Sequence, residues 1–193
     1  MKNIFVFIFA MSMATTIHAQ VRFGLKAGYN HANLIYSGSA INNLGAKSDF
    51  NAGVFVSIPL CSHFYLQPEL MYSGQGSRST DSIPKNASYN YLNLPILFKY
   101  QHTSGLFAET GPQVGFLVSA QLSISEQSID TKNYTQSADF SWVFGVGYKI
   151  PAINLGIDIR YNLGLTNTNK IDNAGTAKNS VFQIDLFYQF KIL

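Results

Sequence analysis

Apolar and polar side chains alternate with a period of two along almost the whole chain after Gln20, and no segment there repeats apolar positions at helical spacing. The alternation predicts an all-β protein with eight strands, over 21–30, 49–60, 63–74, 89–101, 105–119, 138–150, 152–166 and 179–192. The connections alternate as well. Residues 31–48, 75–88, 120–137 and 167–178 are long and polar, whereas Cys61-Ser62, His102 to Ser104 and Pro151 are very short. An even number of antiparallel strands with short turns at one end and long loops at the other is the layout of an up-and-down transmembrane β-barrel, which has short periplasmic turns and longer extracellular loops. A soluble sandwich has no reason for that asymmetry.

The charged residues follow the same parity. Successive side chains of a strand point to opposite faces, and a membrane barrel must keep ionised groups off its lipid side. Arg22 and Lys26 oppose Phe23, Leu25 and Tyr29; Glu69 opposes Phe64, Leu66, Leu70 and Tyr72; Lys99 opposes Leu94, Ile96, Phe98 and Tyr100. Glu109 falls opposite Leu106, Ala108 and Val114, and Lys149 opposite Trp142, Phe144, Val146 and Tyr148. Asp158 and Arg160 oppose Leu155, Ile157, Ile159 and Tyr161, while Asp185 and Lys191 oppose Phe182, Ile184, Leu186, Tyr188 and Phe190. The second strand carries no charge within it but still sets Val54, Val56 and Ile58 against Asn51 and Ser57.

Parity does not say which face is outside. A lipocalin-type barrel shows the same alternation with its apolar face turned inward around a ligand. The glycines favour the membrane barrel: Gly24, Gly28, Gly53, Gly111, Gly115, Gly145, Gly147, Gly156 and Gly164 all share the polar face. Glycine weakens a strand unless close approach or bending requires it, and a crowded concave interior supplies that requirement. Polar is therefore read as lumen and apolar as lipid, with Tyr29, Tyr72, Tyr100, Trp142, Tyr148, Tyr161 and Tyr188 as interfacial aromatics. Inside, the cations Arg22, Lys26, Lys99, Lys149, Arg160 and Lys191 are expected to pair with Glu69, Glu109, Asp158 and Asp185 as a structural network. An eight-stranded lumen is only wide enough to be filled by side chains, so such a network would seal it. Pro68, Pro95 and Pro112 fall within strands and are expected to mark bulges, since a closed barrel offers no free edge for a missing donor.

Composition fits a membrane barrel. Only 12% of the 193 residues are charged, aromatics reach 14%, and the net charge of +3 is scattered without a basic stripe, so no nucleic-acid partner is expected. Lys2, the apolar run Ile4 to Ala10 and the small-residue stretch ending His18-Ala19 match a secretory signal peptide over residues 1–19, leaving 20–193 as the barrel domain. The polar interruptions Ser12, Thr15 and Thr16 leave that run too short for a membrane-spanning helix. Cys61 is the only cysteine, which excludes an internal disulfide.

Candidate chemistry is sparse. His63 and His102 fall on the short turns, and His31, near the outer leaflet, has no nucleophile and acid placed around it by motif. Asp49, Asp130, Asp139 and Asp172 are isolated, so no metal site is expected, and Gly74-Gln75-Gly76 lacks the helix a phosphate loop needs. No catalytic residue and no cofactor is assigned.

The segments Tyr91-Leu92-Asn93-Leu94-Pro95-Ile96-Leu97-Phe98-Lys99-Tyr100 and Gly111-Pro112-Gln113-Val114-Gly115-Phe116-Leu117-Val118-Ser119-Ala120 resemble the central strands of the PorT-like outer-membrane β-barrel family of Bacteroidetes. So do Phe144-Gly145-Val146-Gly147-Tyr148, Arg160-Tyr161-Asn162-Leu163-Gly164-Leu165 and the opening Gly24-Leu25-Lys26-Ala27-Gly28-Tyr29-Asn30. The last strand, with Gln183, Asp185, Tyr188 and Phe190, is similar to the assembly signal of outer-membrane barrels, Asp185 standing where a glycine is usual. The resemblance implies a fold and an outer-membrane location, and little biochemistry. The expected function is a small, monomeric structural or interaction barrel in outer-membrane lipid, displaying polar loops and open to an envelope or secretion partner. The alternatives are a lipid-modifying enzyme, a narrow channel and a soluble lipocalin-like carrier.

Overall fold

The computed structural model describes residues 21–37, 44–79, 85–124, 127–168 and 176–190. Nine strands run β1 (Arg22–Ser37), β2 (Leu44–Pro59), β3 (Phe64–Ser79), β4 (Lys85–Gln101), β5 (Leu106–Ile124), β6 (Gln127–Asp130), β7 (Ala138–Ile150), β8 (Leu155–Gly164) and β9 (Thr176–Gln189). Every neighbouring pair is antiparallel, β1 pairs with β9, and β4 pairs with β5, so eight strands close into an up-and-down barrel. β6 stands outside the ring: it pairs with β5 over Gln121 to Ile124, above the stretch of β5 that pairs with β7. Among the described residues no helix is long and apolar enough to cross a membrane; the strands do the crossing.

The expected sidedness holds in every barrel strand. Along β7, Phe140, Trp142, Phe144, Val146, Tyr148 and Ile150 point outward, each between 39% and 58% exposed, while Asp139, Ser141, Val143, Gly145 and Lys149 are buried in the lumen. Those outward positions cover about 34 Å of strand, which a tilt of about 40° foreshortens to about 26 Å, matching the apolar band of an outer-membrane barrel. Aromatics edge the band. Phe50 and Tyr72 meet at 5.4 Å near the extracellular edge; Phe64 and Tyr100, and Tyr188 and Phe190, each meet at 5.2 Å near the periplasmic edge. Polar atoms on this face find partners nearby: Trp142 Nε1 donates to Thr110 Oγ1 (2.8 Å), which donates to the Val143 carbonyl (2.9 Å).

Strand ends differ from expectation mostly at the extracellular side. At the periplasmic end the tight connections around Cys61 and His102 to Gly105 stand where they were placed, whereas the turn expected at Pro151 alone runs from Pro151 to Asn154, so that β8 starts at Leu155 rather than at 152. Gly105 (φ +102°) closes the second of these, and a Cβ there would lie 2.1 Å from the Lys149 carbonyl, so only glycine fits. At the extracellular end, stretches read as loops are strand: β1 continues from Asn30 to Ser37, β3 from Gly74 to Ser79, and β5 from Ser119 to Ile124. Above the band both faces meet water or protein rather than lipid. Alternation fades there while the hydrogen-bond ladder continues.

The proline expectation is corrected. Pro68 opposes Ile96, Pro95 opposes Gln113 and Pro112 opposes Trp142, all in unbroken register with parity intact. The two register shifts lie higher, between Ala46 and Asn51 in the β2–β3 pair and at Asn90/Tyr91 in the β4–β5 pair. A proline removes one donor toward one neighbour, which a closed ladder absorbs; inserting a residue is easier where the hairpins have left the apolar band. The segment 1–19, with its signal-peptide expectation, lies outside the described residues, as do Lys191 and Asp172.

Candidate functional site

The lumen is stratified, and each layer follows from the height at which a strand places its inward residues. Toward the periplasmic end, three phenylalanines on polar parity, Phe55, Phe107 and Phe187, form a buried cluster, with Phe187 at 5.9 Å from Phe55 and 5.8 Å from Phe107. Each ring covers a glycine opposite it in register: Phe55 over Gly24, Phe107 over Gly147 and Phe187 over Gly156. A Cβ on any of the three glycines would lie 2.3 Å or less from the facing ring. The aromatic ring shields the bare backbone, and the bare backbone gives the ring its space. Sequence reading missed this trio, although its signal was present: each is an aromatic residue on the parity that carries the charges and the strand glycines.

Above this floor sits an ionic cluster of three cations and three anions. Arg160 donates from Nη1 to Glu69 Oε2 and from Nη2 to Glu69 Oε1, both at 2.7 Å. Its Nη2 also lies 2.5 Å from Glu109 Oε1, and its Nε lies 3.4 Å from Asp158 Oδ1. Lys26 Nζ donates to Asp158 Oδ2 at 2.5 Å and to Glu69 Oε1 at 3.4 Å. Lys99 Nζ lies 3.7 Å from Glu109 Oε2 and donates to Gln67 Oε1 at 3.3 Å. All six charged side chains are at most 6% exposed. The floor and the cluster touch, since Lys99 Nζ stands 3.5 Å from the Phe107 ring centre and Lys26 Nζ lies within 5.8 Å of the Phe55 and Phe187 rings.

The Arg160–Glu69 bridge spans the lumen. β8 and β3 are four strands apart in a ring of eight, so the fork of hydrogen bonds joins opposite walls. Bidentate guanidinium–carboxylate pairs combine charge with fixed geometry, and this one is enclosed by four more charges of balanced sign.

An amide layer follows. Asn51 Nδ2 donates to Asp185 Oδ1 (2.8 Å) and to Asn30 Oδ1 (2.7 Å), Gln183 Nε2 donates to Asn30 Oδ1 (2.7 Å), and Asn30 Nδ2 donates to Ser73 Oγ (2.9 Å). Higher still, Thr166 and Asn179 donate to Asp139 at 2.6 and 2.8 Å. Tyr91, Leu117 and Ala120 form an apolar cluster on the β4–β5 wall.

The ten residues read from sequence as one network therefore fall into separate groups. Lys26, Glu69, Lys99, Glu109, Asp158 and Arg160 meet in the centre. Asp185 stands just above, opposite Asp158 in register, and is held by Asn51 with no cation within ion-pair distance among the described residues. Arg22 and Lys149 are not part of the cluster: they line the periplasmic mouth below the phenylalanines, where Lys149 Nζ donates to Gln189 Oε1 (2.9 Å). Lys191 lies outside the described residues. Parity places all of these on one face; only the stagger of the strands sets their heights.

Two concavities bear on ligand binding. The larger, about 680 Å³, is on the outer wall, where Ala108 and Thr110 lie low between Phe98, Tyr100, Phe144 and Val146. It is part of the lipid face. His31 is exposed on the same outer surface, opposite Ser48 in register. Among the described residues no group of three or more His, Cys, Asp or Glu could hold a metal ion.

The outward apolar band, the filled polar lumen and the one-sided turns define the class of barrel, and a family model of the outer membrane protein beta-barrel domain matches residues 13–170. The chain belongs to that family. Its barrel is an outer-membrane barrel, and the soluble lipocalin-like reading is set aside because its apolar stripes face outward. Among solved structures it is similar to Neisserial surface protein A, at 12% identity and a TM-score of 0.56 over 87% of this chain and 97% of that one. It is also similar to Ail, the attachment invasion locus protein of Yersinia pestis, at 16% identity and a TM-score of 0.50 over 88% of this chain and 99% of that one. At such identity the likeness shows the fold alone. No curated protein matches the sequence.

Proposed function

We propose that this protein is a sealed, monomeric structural or interaction barrel that carries extended hairpins above the outer leaflet, without a reaction or a conducting pore of its own. The observation that carries this reading is the Arg160–Glu69 bridge across the lumen, closed in by Lys26, Lys99, Glu109 and Asp158 and floored by three aromatic rings. An ion following the axis would have to part the Arg160–Glu69 fork and leave buried charges uncompensated, which is strongly unfavourable. β1, β3 and β5 continue beyond the apolar band, which favours display of the hairpins. A place in a larger envelope or secretion assembly is the form of the interaction role left open by this reading.

Planar-bilayer recording of the purified barrel tests the closure, and the expected trace shows no unitary conductance. Steady channel openings in the unmodified protein would overturn it. Pull-down of a tagged barrel from its native envelope tests the interaction role. Lipid A modification is expected to be unchanged in a His31→Ala strain; its loss would restore the enzyme reading. Cleavage after Ala19 belongs to the same proposal, and intact-mass measurement of barrel extracted from membranes is expected to place the N-terminus at Gln20.

A further inference from the structure

We propose that the periplasmic mouth of the barrel is a binding site for a phosphate group, supplied either by free phosphate or by a phospholipid headgroup of the inner leaflet. The mouth is a cleft of about 320 Å³ below the phenylalanine floor, lined by Arg22 and Lys149 from the wall and by Ser62, His63, His102 and Thr103 from the turns. Among the described residues no Asp or Glu lines it. The described acids of the lumen, Glu69, Glu109, Asp158, Asp185 and Asp139, all project at or above the central cluster. Among the described residues, positive charge at this end therefore has no acid beside it.

Lys149 is the decisive residue. It is 5% exposed, faces the lumen from the last turn-proximal position of β7, and its hydrogen-bond partner is the neutral Gln189 Oε1. A buried ammonium without an acid is costly, and a bound anion would supply the missing charge. In the centre of the same lumen Lys26, Lys99 and Arg160 each have a carboxylate within 4 Å. The contrast lies within one molecule, so it is not a general habit of this fold to leave lumen cations unpaired.

The donor set selects the chemistry. Guanidinium, ammonium, imidazole and hydroxyl groups approach the cleft from the strand wall and from two turns, which suits an anion with several oxygens in a tetrahedral array better than a planar carboxylate. His102 Nδ1 accepts the Ser104 backbone amide (3.2 Å), which leaves the ring proton on Nε2 as a donor. Location points the same way: His63 stacks on Tyr100 (6.0 Å), so the rim joins the lumen mouth to the aromatic edge of the lipid face, the level at which periplasmic-leaflet headgroups lie. The cleft is larger than one phosphate and leaves room for the group to which it is esterified.

The test uses the whole barrel refolded in neutral, phosphate-free detergent and titrated calorimetrically with inorganic phosphate, alongside Lys149→Gln, Arg22→Gln and the exposed control Lys178→Gln. Saturable binding is expected in the unmodified barrel and in the control, weakened at least about tenfold in the two mouth variants. Phosphate is expected to raise the urea midpoint of the unmodified barrel and to leave that of Lys149→Gln unmoved, a readout that loss of folding could not imitate. Native mass spectrometry of barrel extracted from its own membrane separates the sources: phospholipid retained by the unmodified barrel and lost from Lys149→Gln identifies the headgroup, and phosphate binding without retained lipid identifies the free anion. Equal binding by all four proteins, or no binding of phosphate together with no retained lipid, overturns the proposal.

Discussion

Arg160 in the middle of the lumen and Lys149 at its periplasmic mouth are 3% and 5% exposed, yet their surroundings are opposite. Arg160 has Glu69, Glu109 and Asp158 around it; Lys149 has a glutamine side chain. Burial by itself therefore says little about what a charge does in this barrel. In the centre, the ions are matched to one another and hold opposite walls together, so they belong to the fold. At the mouth no described acid stands beside the charge, and the proposed phosphate site rests on that difference. The two regions are separated by the phenylalanine floor, which keeps the pairing of one from reaching the other.

The sharpest way to break that contrast is to delete a central cation. Arg160→Ala is expected to cost about 3–5 kcal/mol, because Glu69 and Glu109 would remain buried with too little positive charge. Urea unfolding in detergent measures it, and an unchanged midpoint would sink the structural reading of the cluster. Within the cluster, Glu69→Ala is expected to cost more than Glu109→Ala. Glu69 accepts two bonds from Arg160 and one each from Lys26 and Gln67, whereas neither Glu109 oxygen has a partner in hydrogen-bond geometry.

Next in size is the outer wall, which must hold no charge at all. Leu186 is 59% exposed, central among the outward apolar positions Phe182 to Phe190 and one residue from the buried Asp185. Leu186→Arg is expected to cost about 2–4 kcal/mol in lipid vesicles, the range for a cation near the bilayer midplane. A cost near zero would mean that this face meets water. A smaller effect is expected at the floor: Gly156→Ala would bring a Cβ to 2.3 Å from the Phe187 ring and 2.7 Å from the Tyr148 carbonyl, costing about 1–3 kcal/mol through overpacking. Pairing it with Phe187→Leu is expected to recover part of that loss, which a double-mutant comparison reads directly.

Most of this architecture is legible in the chain, and the limits of legibility have a physical form. Period-two alternation fixes which side of a strand each residue takes, so Lys26, Asp158 and Arg160 can be placed in the lumen without coordinates. Turn lengths fix which end is periplasmic. What alternation cannot give is height. Lys26 meets Asp158 across 132 residues of sequence, and Arg160 meets Glu69 across 91, at levels set by the stagger of the strands. That is why Arg22 and Lys149, on the same parity as Arg160, read as members of a single network. The phenylalanine floor was missed for a different reason: Phe55, Phe107 and Phe187 sit between apolar neighbours on both sides, so their parity is masked by composition. The hairpin extensions beyond Asn30 and Ser119 were missed because pattern fades where lipid no longer imposes it.

The smallest expected effect is the most discriminating. Lys149→Met keeps the length of the side chain and removes its charge, and without added anion it is expected to leave stability within about 0.5 kcal/mol of the unmodified barrel or to raise it, because no carboxylate loses a partner. The same exchange at Lys26 strands Asp158 and is expected to cost several times more. Both lysines are buried, both face the lumen, and both are replaced by the same residue, so packing and desolvation largely cancel in the comparison. What remains is whether an acid stands opposite. If the two substitutions destabilise equally in phosphate-free detergent, the mouth holds a structural ion pair after all and the division between its two sets of cations fails.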